Sequence, residues 1–338
     1  MTSDQSERLL GGIYGAIIGD ALGAITETLT ARQIAELYGW MDDFQPLKAQ
    51  PYGQDRVPGE ITDDASLLLA MANVARGRDF SVEMAVRAMR TWADDPRYAR
   101  YAGPSTKRAL AMIQDGHDPL EAGRGDVMSF TGASNGGAMK AAPAGWMVPG
   151  DLEAAVANAA ALCGPTHNTN LAIAGAAAVA AACSVAIDSG STVDDVVRAA
   201  TEGARLGAEL GLRQGREVAG PDVARRIVQA LGLVQLNDPR SSLDELANQI
   251  GAGLATSESV PAAIAIFALA KGDGRLCAIY SANIGDDTDT VGCMAAAIGG
   301  TFSGPTAFPQ PWRELVSSAN HIDVEQIAEA FIERTHHA

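Results

Sequence analysis

The segment Leu9–Ile25, LLGGIYGAIIGDALGAI, repeats every four residues and predicts the helix on which the fold depends. Apolar side chains recur at this spacing from Leu9 and again from Leu10, which is typical of a helix with a buried face. A third series consists only of glycines: Gly11, Gly15, Gly19 and Gly23. Each glycine inside a helix costs about 1 kcal/mol relative to alanine. We therefore expect this stripe to admit the close approach of another helix or of a ligand.

Helical periodicity continues along the rest of the chain. Further helical patterns occupy 64–76, 82–93, 105–114, 152–163, 169–187, 193–209, 221–233, 243–254, 260–271 and 322–335. The pairs Ser191–Thr192 and Ser241–Ser242 stand before acidic residues and predict helix starts. Alternating strand patterns, linkers rich in Pro and Ser, and repeats of fixed period are missing from the sequence. The sequence therefore predicts a single all-α domain over residues 1–338.

The composition agrees with tightly packed helices and limits the partners. Of the 338 residues, 47% are hydrophobic, 5% are aromatic and 36 are glycine, so helices can pack through small side chains. The formal net charge of −16 argues against a nucleic-acid backbone or an anionic membrane as the main partner. A small phosphate-bearing ligand is compatible with this charge, because cations and helix N-termini offset the negative field locally.

Cysteine usage and the apolar runs predict a cytoplasmic protein. The four cysteines show no CxxC spacing: Cys163, Cys183, Cys277 and Cys293. Their small and apolar neighbours predict buried free thiols, as in a reduced compartment. The first eight residues are too acidic for a secretory signal, and the run 171–187 is mostly alanine and short for a membrane span. We expect that run to form a helix buried on all sides.

Two acidic segments far apart in the chain suggest one metal site. Ile284–Thr290 reads IGDDTDT and leads into a small-residue helix expected near Val291, and Ile61–Asp64 reads ITDD before an apolar segment. Either segment alone could simply cap a helix, with a hydroxyl as N-cap and acids near the helix dipole. Together they hold more like charge than capping requires, and packing that charge needs a counterion. Their donors are all oxygens, which favours Mg²⁺, Mn²⁺ or Ca²⁺ over Zn²⁺.

A third acidic element lies at the end of the first helix. Asp20 and Glu27 are seven residues apart, so a continuous helix would place both on one face with Gly23 between them. A carboxylate beside glycine-lined space is unusual in a core. We predict a site role for Glu27, and for Asp20 a role in orienting its neighbours or capping a backbone.

Two polar stretches are candidates for contact with a ligand. Gly132–Lys140, GASNGGAMK, can expose backbone N–H groups as a cradle for ribose or phosphate. An ordinary glycine loop capped by Ser134 or Asn135 would show the same pattern. Cys163–Asn170, CGPTHNTN, forms a polar turn before the alanine-rich helix, and its His167 is either structural or in contact with a substrate. The residues alone leave these alternatives open.

Read in order, these segments resemble the ADP-ribosylglycohydrolase family, which includes hydrolases that remove ADP-ribose from protein side chains and the dinitrogenase-reductase-activating glycohydrolases. The matching segments are Gly19–Gly23 with Glu27, Thr62–Asp64, Ser134–Pro143, Thr166–His167, Asp287–Thr290 and Pro311–Trp312. The resemblance covers nearly the whole chain. It implies an orthogonal all-α bundle with two Mg²⁺ or Mn²⁺ ions at the floor of a cleft.

The resemblance also implies roles for individual residues. The implied metal ligands are Thr62, Asp63, Asp64, Asp287, Asp289 and Thr290. Glu27 matches a glutamate implicated in catalysis, and the metal-ligating Asp63 or Asp289 could orient the water in its place. The residues that match the ribose and phosphate path, or lie near the substrate, are Asn135, Gly136, Gly137, Met139 and His167.

The expected reaction is hydrolysis of a ribosyl N- or O-glycosidic bond. Its transition state resembles an oxocarbenium ion, and two cations can hold the ribose hydroxyls and activate a water. A carboxylate can accept a proton or stabilise the developing charge. The expected substrate is an ADP-ribosylated protein, and a small N-riboside or other N-glycoside is the alternative. A third reading is a catalytically silent binding protein, since a lens crystallin resembles the family.

Departures from the family pattern bear on the substrate. Gly285–Asp286 replaces the usual Gly-Gly, Lys140 stands where many members have Arg, and Ala65 replaces a common Thr. The turn 166–170 lacks the Asp-Pro that often follows the histidine. We expect Asp286 to lie outside the metal ligands, to alter cation affinity or to repel a pyrophosphate, and Lys140 to weaken a bidentate phosphate clamp. Residues 41–60 contain three prolines and no helical period, so we expect a loop there. This loop and the turn 166–170 are expected to decide whether adenine and pyrophosphate fit.

Overall fold

A computed structural model describes residues 1–48, 56–126, 130–234 and 238–336, and these ranges are built from helices. The α-helices are α1 (Ser3–Gly23), α2 (Ala31–Tyr38), α3 (Asp63–Val74), α4 (Val82–Ala93), α5 (Pro96–Ala99), α6 (Pro104–Gln114), α7 (Pro119–Gly123), α8 (Ala142–Trp146), α9 (Leu152–His167), α10 (Asn170–Ala186), α11 (Val193–Gln214), α12 (Val223–Leu233), α13 (Pro239–Gln249), α14 (Thr256–Leu269), α15 (Gly274–Ile284), α16 (Thr288–Ser303), α17 (Gln310–Asn320) and α18 (Val324–His336). Short 3₁₀ turns form at Asn135–Gly137 and Pro305–Ala307. Within those ranges no strand forms, so the all-α prediction is confirmed. The single-domain boundary at 1–338 stays a prediction.

The glycine stripe of α1 packs directly against the backbone of α16. A Cβ atom on Gly15 would lie 1.9 Å from the carbonyl oxygen of Ala296, and one on Gly19 would lie 2.0 Å from that of Gly292. Glycines four residues apart along α1 contact residues that lie four apart in the opposite order along α16, so the two helices run antiparallel. The predicted close approach of a second helix is therefore confirmed, and α16 is that helix. This packing brings the C-terminal end of α1 beside the N-terminal end of α16.

The alanine-rich helix α10 forms the middle of the core. All but two of its residues are buried, and Gly203 and Gly207 of α11 lie against its backbone near Ala177 and Ile173. This confirms a helix buried on all sides. The four cysteines are buried and free, as predicted. In the described part of the chain, no helix combines the length and the apolar character that crossing a bilayer requires.

Most predicted helices form within a few residues of their predicted bounds, and Thr192 caps α11 as expected, in a reciprocal capping box with Asp195. The start predicted at Ser241–Ser242 is wrong. Asp238 caps α13 instead, because its carboxylate accepts the Ser241 N–H while Pro239 supplies the first helical position.

The continuous helix predicted from Asp20 through Glu27 is also wrong. α1 ends at Gly23, and the chain then forms a tight turn that ends with Thr28 in the left-handed region at φ 66°. Thr26 fixes this turn, because its Oγ1 donates to the Ala282 carbonyl at 2.8 Å. Glu27 therefore projects from the turn rather than from the helix.

Candidate active site

Helix α1 positions the first acidic segment through a buried carboxylate. Asp20 accepts the Thr62 N–H at 3.0 and 3.1 Å and the Ala65 N–H at 2.9 Å. These are N–H groups at the start of α3 that have no partner within that helix. Asp20 thus caps a backbone, as predicted, and it holds Thr62–Asp64 at the C-terminal end of α1.

The second acidic segment is fixed to the turn that follows α1. Thr288 donates from Oγ1 to the Gly23 carbonyl at 2.8 Å. The Thr28 N–H donates to the Asp286 carbonyl at 2.8 Å, and the Asp286 N–H donates to the Leu29 carbonyl at 2.9 Å. This two-way pairing places Glu27 opposite the start of α16. Carboxylate oxygens of Glu27, Asp287 and Asp289 consequently lie within 4.8 Å of one another.

These segments form the floor of a cavity of about 320 Å³. Its lining residues are Glu27, Thr62, Asp63, Asp64, Tyr101, Gly103, Pro104, Ser105, Thr106, Phe130, Thr131, Ser134, Asn135, Gly136, Met139, His167, Leu254, Asp287, Asp289 and Thr290. The six predicted metal ligands, Glu27 and four of the five predicted substrate residues therefore share one space. Gly137 is the exception. It packs against the Cys163 thiol behind the wall, where an added Cβ would lie 2.4 Å from Sγ.

The floor carries several acids with little to neutralise them. Burial and the neighbouring charge of Asp289 raise the pKa of Glu27 to about 10 and that of Asp63 to about 7. The same two causes hold the pKa values of Asp64 and Asp287 well above their usual range. Without a cation, the site can therefore hold these carboxyls together only by keeping some of them protonated.

Hydroxyl and amide groups donate hydrogen bonds to some of the carboxylate oxygens on the floor. Thr290 donates from Oγ1 to Asp287 Oδ1 at 3.0 Å, and Asn135 donates from Nδ2 to Asp287 Oδ2 at 2.5 Å. Thr62 donates from Oγ1 to Asp64 Oδ2 at 3.0 Å. The second oxygen of Asp64, Oδ1, is buried and has no hydrogen-bond partner.

A divalent cation fits this floor. A buried acceptor without a donor is costly, and a cation beside Asp64 Oδ1 would remove that cost. The available donors are carboxylates and threonine hydroxyls, which is the oxygen set that Mg²⁺, Mn²⁺ or Ca²⁺ prefers. The same residues also cap helices: Thr62 accepts the Asp64 N–H at 3.2 Å. Capping and cation binding are thus compatible here.

The side wall contains His167, which is held at both ring nitrogens. Its Nε2 lies 3.0 Å from Ser134 Oγ, and its Nδ1 lies 2.8 Å from Thr166 Oγ1. Gly136 packs on the ring, since an added Cβ would lie 2.8 Å from Cε1. Burial, followed by the charge of Lys140, holds the pKa of His167 well below its usual range. His167 is therefore a neutral group of the cavity wall.

The two charged departures from the family pattern lie outside the cavity. Lys140 is completely buried and donates from Nζ to Thr166 Oγ1 at 2.8 Å, so it cannot contact a phosphate in the cavity. Asp286 is exposed and is not among the lining residues. Its backbone adopts φ 66°, a region that favours glycine and tolerates aspartate. This conformation is compatible with the glycine that the family resemblance implies at this position.

Sequence reasoning missed the outer lip of the cavity. Tyr101, Phe130 and Leu254 line it, and Phe130 and Leu254 are 48% and 67% exposed. The only sequence signal for these three was a large apolar or aromatic side chain within two residues of a glycine. Three other aromatic side chains do not line the cavity: Trp40, Trp92 and Tyr98.

The loop 41–60 contributes no lining residue in its described parts, 41–48 and 56–60. Residues 49–55, including Tyr52, lie outside the described ranges. From the turn 166–170, only His167 reaches the cavity. The expectation that these two segments decide whether adenine and pyrophosphate fit therefore stays a prediction.

Comparison with known proteins agrees with this geometry. The family model described as ADP-ribosylglycohydrolase matches residues 1–338. The chain belongs to the ADP-ribosylglycohydrolase family. Membership implies a glycosyl hydrolase, in accord with the acidic floor of the cavity.

Relatives of this chain match over nearly their whole length. The chain is 32% identical to the uncharacterized protein YegU of Escherichia coli (strain K12), over 96% of each chain. It is 25% identical to ADP-ribosylhydrolase ARH3 of Mus musculus, over 94% of this chain and 89% of the relative. The ARH3 of Homo sapiens is 24% identical, over 94% and 91%.

A solved structure shows the same fold. It is titled an ADP-ribosylglycohydrolase-related protein complex, and it superposes with a TM-score of 0.67 over 99% of this chain and 100% of that chain. The two sequences are 22% identical, so this match supports the helical architecture alone.

Proposed function

We propose that this chain is a glycohydrolase that depends on two Mg²⁺ or Mn²⁺ ions and removes ADP-ribose from a protein acceptor. The observation that carries the proposal is the cavity floor, where Glu27 and the segments at 62–64 and 287–290 present oxygen atoms to one space. The Oδ1 atom of Asp64 is buried and has no hydrogen-bond partner, so it is an acceptor that a cation would satisfy. The family and the ARH3 relatives support ADP-ribose as the group released.

The ligand set follows from the lining of the floor. The residues that would hold the cations are Thr62, Asp63, Asp64, Asp287, Asp289 and Thr290. When bound, the cations would polarise ribose hydroxyls and lower the pKa of the attacking water. Their positive charge would also allow the crowded carboxyls to ionise together.

Glu27 is the residue we assign to proton transfer. It lies at the cavity beside Asp287 and Asp289 but on a separate element, the turn after α1. In the reaction, a water oxygen forms a bond to the anomeric carbon while the bond from that carbon to the leaving group breaks. Glu27 would accept the proton of that water, and the leaving group would take up a proton as it departs.

The walls would orient the ribose and whatever is attached to it. Gly136, Met139 and His167 line the wall, and Asn135 is already bonded to Asp287, so it also couples the wall to the floor. A neutral His167 and the hydroxyl of Ser134 offer hydrogen bonds without adding charge.

A small N-riboside is the second candidate, and one observation favours it. Among the described residues that line the cavity there is no lysine or arginine, and the only histidine is neutral. A pyrophosphate in this cavity would thus have to rely on backbone N–H groups, hydroxyls and the cations. A catalytically silent role is less well supported, because every oxygen donor expected of the metal site is present. We further propose a cytoplasmic location, which the four buried free thiols support.

The test is release of free ADP-ribose from an ADP-ribosylated protein, followed by mass spectrometry, with Mg²⁺ or Mn²⁺ and with a chelator. Release that requires the cation would support the proposal. Cleavage of small N-ribosides without release from protein would transfer the assignment to the second candidate. If the cation-loaded protein cleaves neither class, the hydrolase assignment is wrong.

A further inference from the structure

A chain of short hydrogen bonds runs from a buried lysine to the cavity. Lys140 Nζ lies 2.8 Å from Thr166 Oγ1, and Thr166 Oγ1 lies 2.8 Å from His167 Nδ1. On the other side of the ring, His167 Nε2 lies 3.0 Å from Ser134 Oγ, and Ser134 lines the cavity. Lys140 is 0% exposed, and Thr166 and His167 are each 1% exposed. We call these four residues the relay.

Lys140 needs an explanation beyond packing. A buried ammonium is normally paired with a carboxylate, because desolvation of the unpaired charge is expensive. In the described ranges Lys140 forms no ion pair, and its hydrogen bond goes to a neutral hydroxyl. Desolvation lowers its pKa to about 8, so the amine still carries a proton at neutral pH. A buried positive charge therefore faces the hydroxyl of Thr166.

The donors and acceptors of the relay decide the direction of its hydrogen bonds. An ammonium can only donate, so Thr166 Oγ1 accepts from Lys140. Thr166 has one hydrogen of its own to give. Its two possible acceptors are the Cys163 carbonyl at 3.4 Å and His167 Nδ1 at 2.8 Å, and the shorter contact is the better hydrogen bond. A second N–H directed at the same oxygen from Nδ1 would also oppose the lysine charge.

We propose that Lys140 is a positioning residue that fixes His167 as the Nε2–H tautomer. With Nδ1 accepting from Thr166, the neutral ring carries its hydrogen on Nε2 and donates it to Ser134 Oγ. Ser134 then accepts from His167 and directs its own hydroxyl hydrogen toward the cavity. The relay thereby makes Ser134 a hydrogen-bond donor to a phosphate or hydroxyl oxygen of the ligand. Such a donor is valuable in a cavity whose described lining has no cationic side chain.

The tautomer can be measured without any ligand, so this part does not depend on the proposed function. Proton–nitrogen correlation spectra of the full chain, labelled with ¹⁵N-histidine in Mg²⁺ buffer, distinguish Nε2–H from Nδ1–H, and His167→Asn assigns the signal. We expect Nε2–H in the wild type and a shift toward Nδ1–H in Lys140→Met, which removes the charge at similar volume. Lys140→Arg, which keeps a cationic donor, should restore Nε2–H. A wild type that shows Nδ1–H overturns the proposal, whether or not Lys140→Met folds.

The effect on the ligand rests on the proposed function and uses free ADP-ribose as the probe, titrated by calorimetry. Ser134→Ala and Lys140→Met should each weaken binding about three- to tenfold, the loss expected for one hydrogen bond. The double variant should bind ADP-ribose no more weakly than whichever single variant has the lower affinity, because both changes remove the same donor. Lys48→Met, which removes an exposed lysine, is the control and should bind like the wild type. Additive losses would overturn the relay, since Lys140 would then act by another route.

The two measurements also separate two kinds of failure. If wild-type protein binds no ADP-ribose but shows Nε2–H that Lys140→Met abolishes, the proposed function fails and the relay stands. If ADP-ribose binds but the tautomer does not respond to Lys140→Met, the relay is wrong and the proposed function is unaffected.

Discussion

The floor and the lip of the cavity are built in different ways. The floor lies where the ends of α1, α3 and α16 meet. Two features fix these helix ends: α1 packs so closely on α16 that a Cβ added at Gly19 would lie 2.0 Å from the Gly292 carbonyl oxygen, and the buried Asp20 caps α3. The lip consists of Tyr101, Phe130 and Leu254 on connecting segments, with two of the three side chains at least 48% exposed.

This difference agrees with separate roles for the two regions, in which the floor carries out the chemistry and the lip selects the ligand. A crowded set of acids tolerates little displacement, so it requires helix ends that cannot move apart. Side chains that select a ligand can lie on exposed segments, where substitutions disturb the fold least. We therefore expect changes in the floor to abolish turnover or stability, and changes in the lip to alter binding modestly.

The largest effect is expected at Glu27. Glu27→Gln keeps the shape of the side chain but removes its capacity to accept a proton, so kcat should fall by about 10³-fold or more. Asp286→Asn is the matched control, because Asp286 is an exposed carboxylate outside the cavity, and it should keep near-native kcat. Steady-state assay of glycosidic cleavage checks both. Near-native kcat in a folded Glu27→Gln protein would remove Glu27 from the mechanism.

The next effect concerns the packing that holds the floor together. A Cβ on Gly19 would lie 2.0 Å from the Gly292 carbonyl oxygen, so Gly19→Ala should destabilise the protein by about 3 kcal/mol. Gly232→Ala is the control, because nothing lies within 4 Å of an added Cβ there and alanine favours the helix by up to about 1 kcal/mol. Thermal unfolding should show a lower Tm for the first variant and an equal or higher Tm for the second. Equal stability of Gly19→Ala and wild type would contradict the rigid floor.

A smaller effect links the floor to pH. The pKa values of Asp63 and Glu27 are raised to about 7 and about 10, whereas carboxyls of an unfolded chain titrate near 4. The cation-free fold therefore binds protons more tightly than the unfolded chain, and it loses stability as pH rises from about 4 through these values. We expect a lower Tm at pH 8 than at pH 5 in chelator.

Mg²⁺ or Mn²⁺ should reverse this loss. Cations replace the protons, so they should raise Tm more at pH 8 than at pH 5. At pH 8, each bound ion should add about 2.7 kcal/mol to the free energy of unfolding at a hundredfold excess over its Kd. A cation effect that is equal at both pH values would show that binding is not coupled to these carboxyls.

The smallest effect is expected at the lip. Phe130→Ala and Leu254→Ala remove exposed apolar surface without touching the floor, so KM should rise about two- to fivefold while kcat stays within about twofold. Leu212→Ala is the control, since Leu212 is 52% exposed and does not line the cavity. A large loss of kcat at either lip residue would show that the lip takes part in the chemistry.

The floor was largely predictable from sequence, because its determinants are local. The four-residue glycine spacing requires a close neighbour, and the acids at 62–64 and 287–290 need a common counterion wherever the fold brings them. The element from which Glu27 reaches the floor was not predictable. Glu27 reaches the floor from a turn, because α1 ends at Gly23 when Thr26 bonds to a carbonyl 256 residues away.

The wall and lip depend on tertiary contacts that leave little trace in the sequence. Lys140 looked like a weakened phosphate ligand, yet its ammonium is turned away from the cavity to Thr166. Leu254 lies beside the cavity, where Asn135 donates its N–H to the Leu254 carbonyl at 3.0 Å. The second contact joins segments more than a hundred residues apart, and no local pattern specifies either contact.

The central claim, that the acidic floor is a cation site, is tested most directly by calorimetric titration with Mn²⁺ and Mg²⁺. The wild type should show saturable binding with two ions per chain. Asp287→Asn should lose at least one of them, and the neighbouring Asp286→Asn should retain both, because only Asp287 lines the cavity. Absence of saturable binding in the wild type, or equal binding in the two variants, would contradict this account.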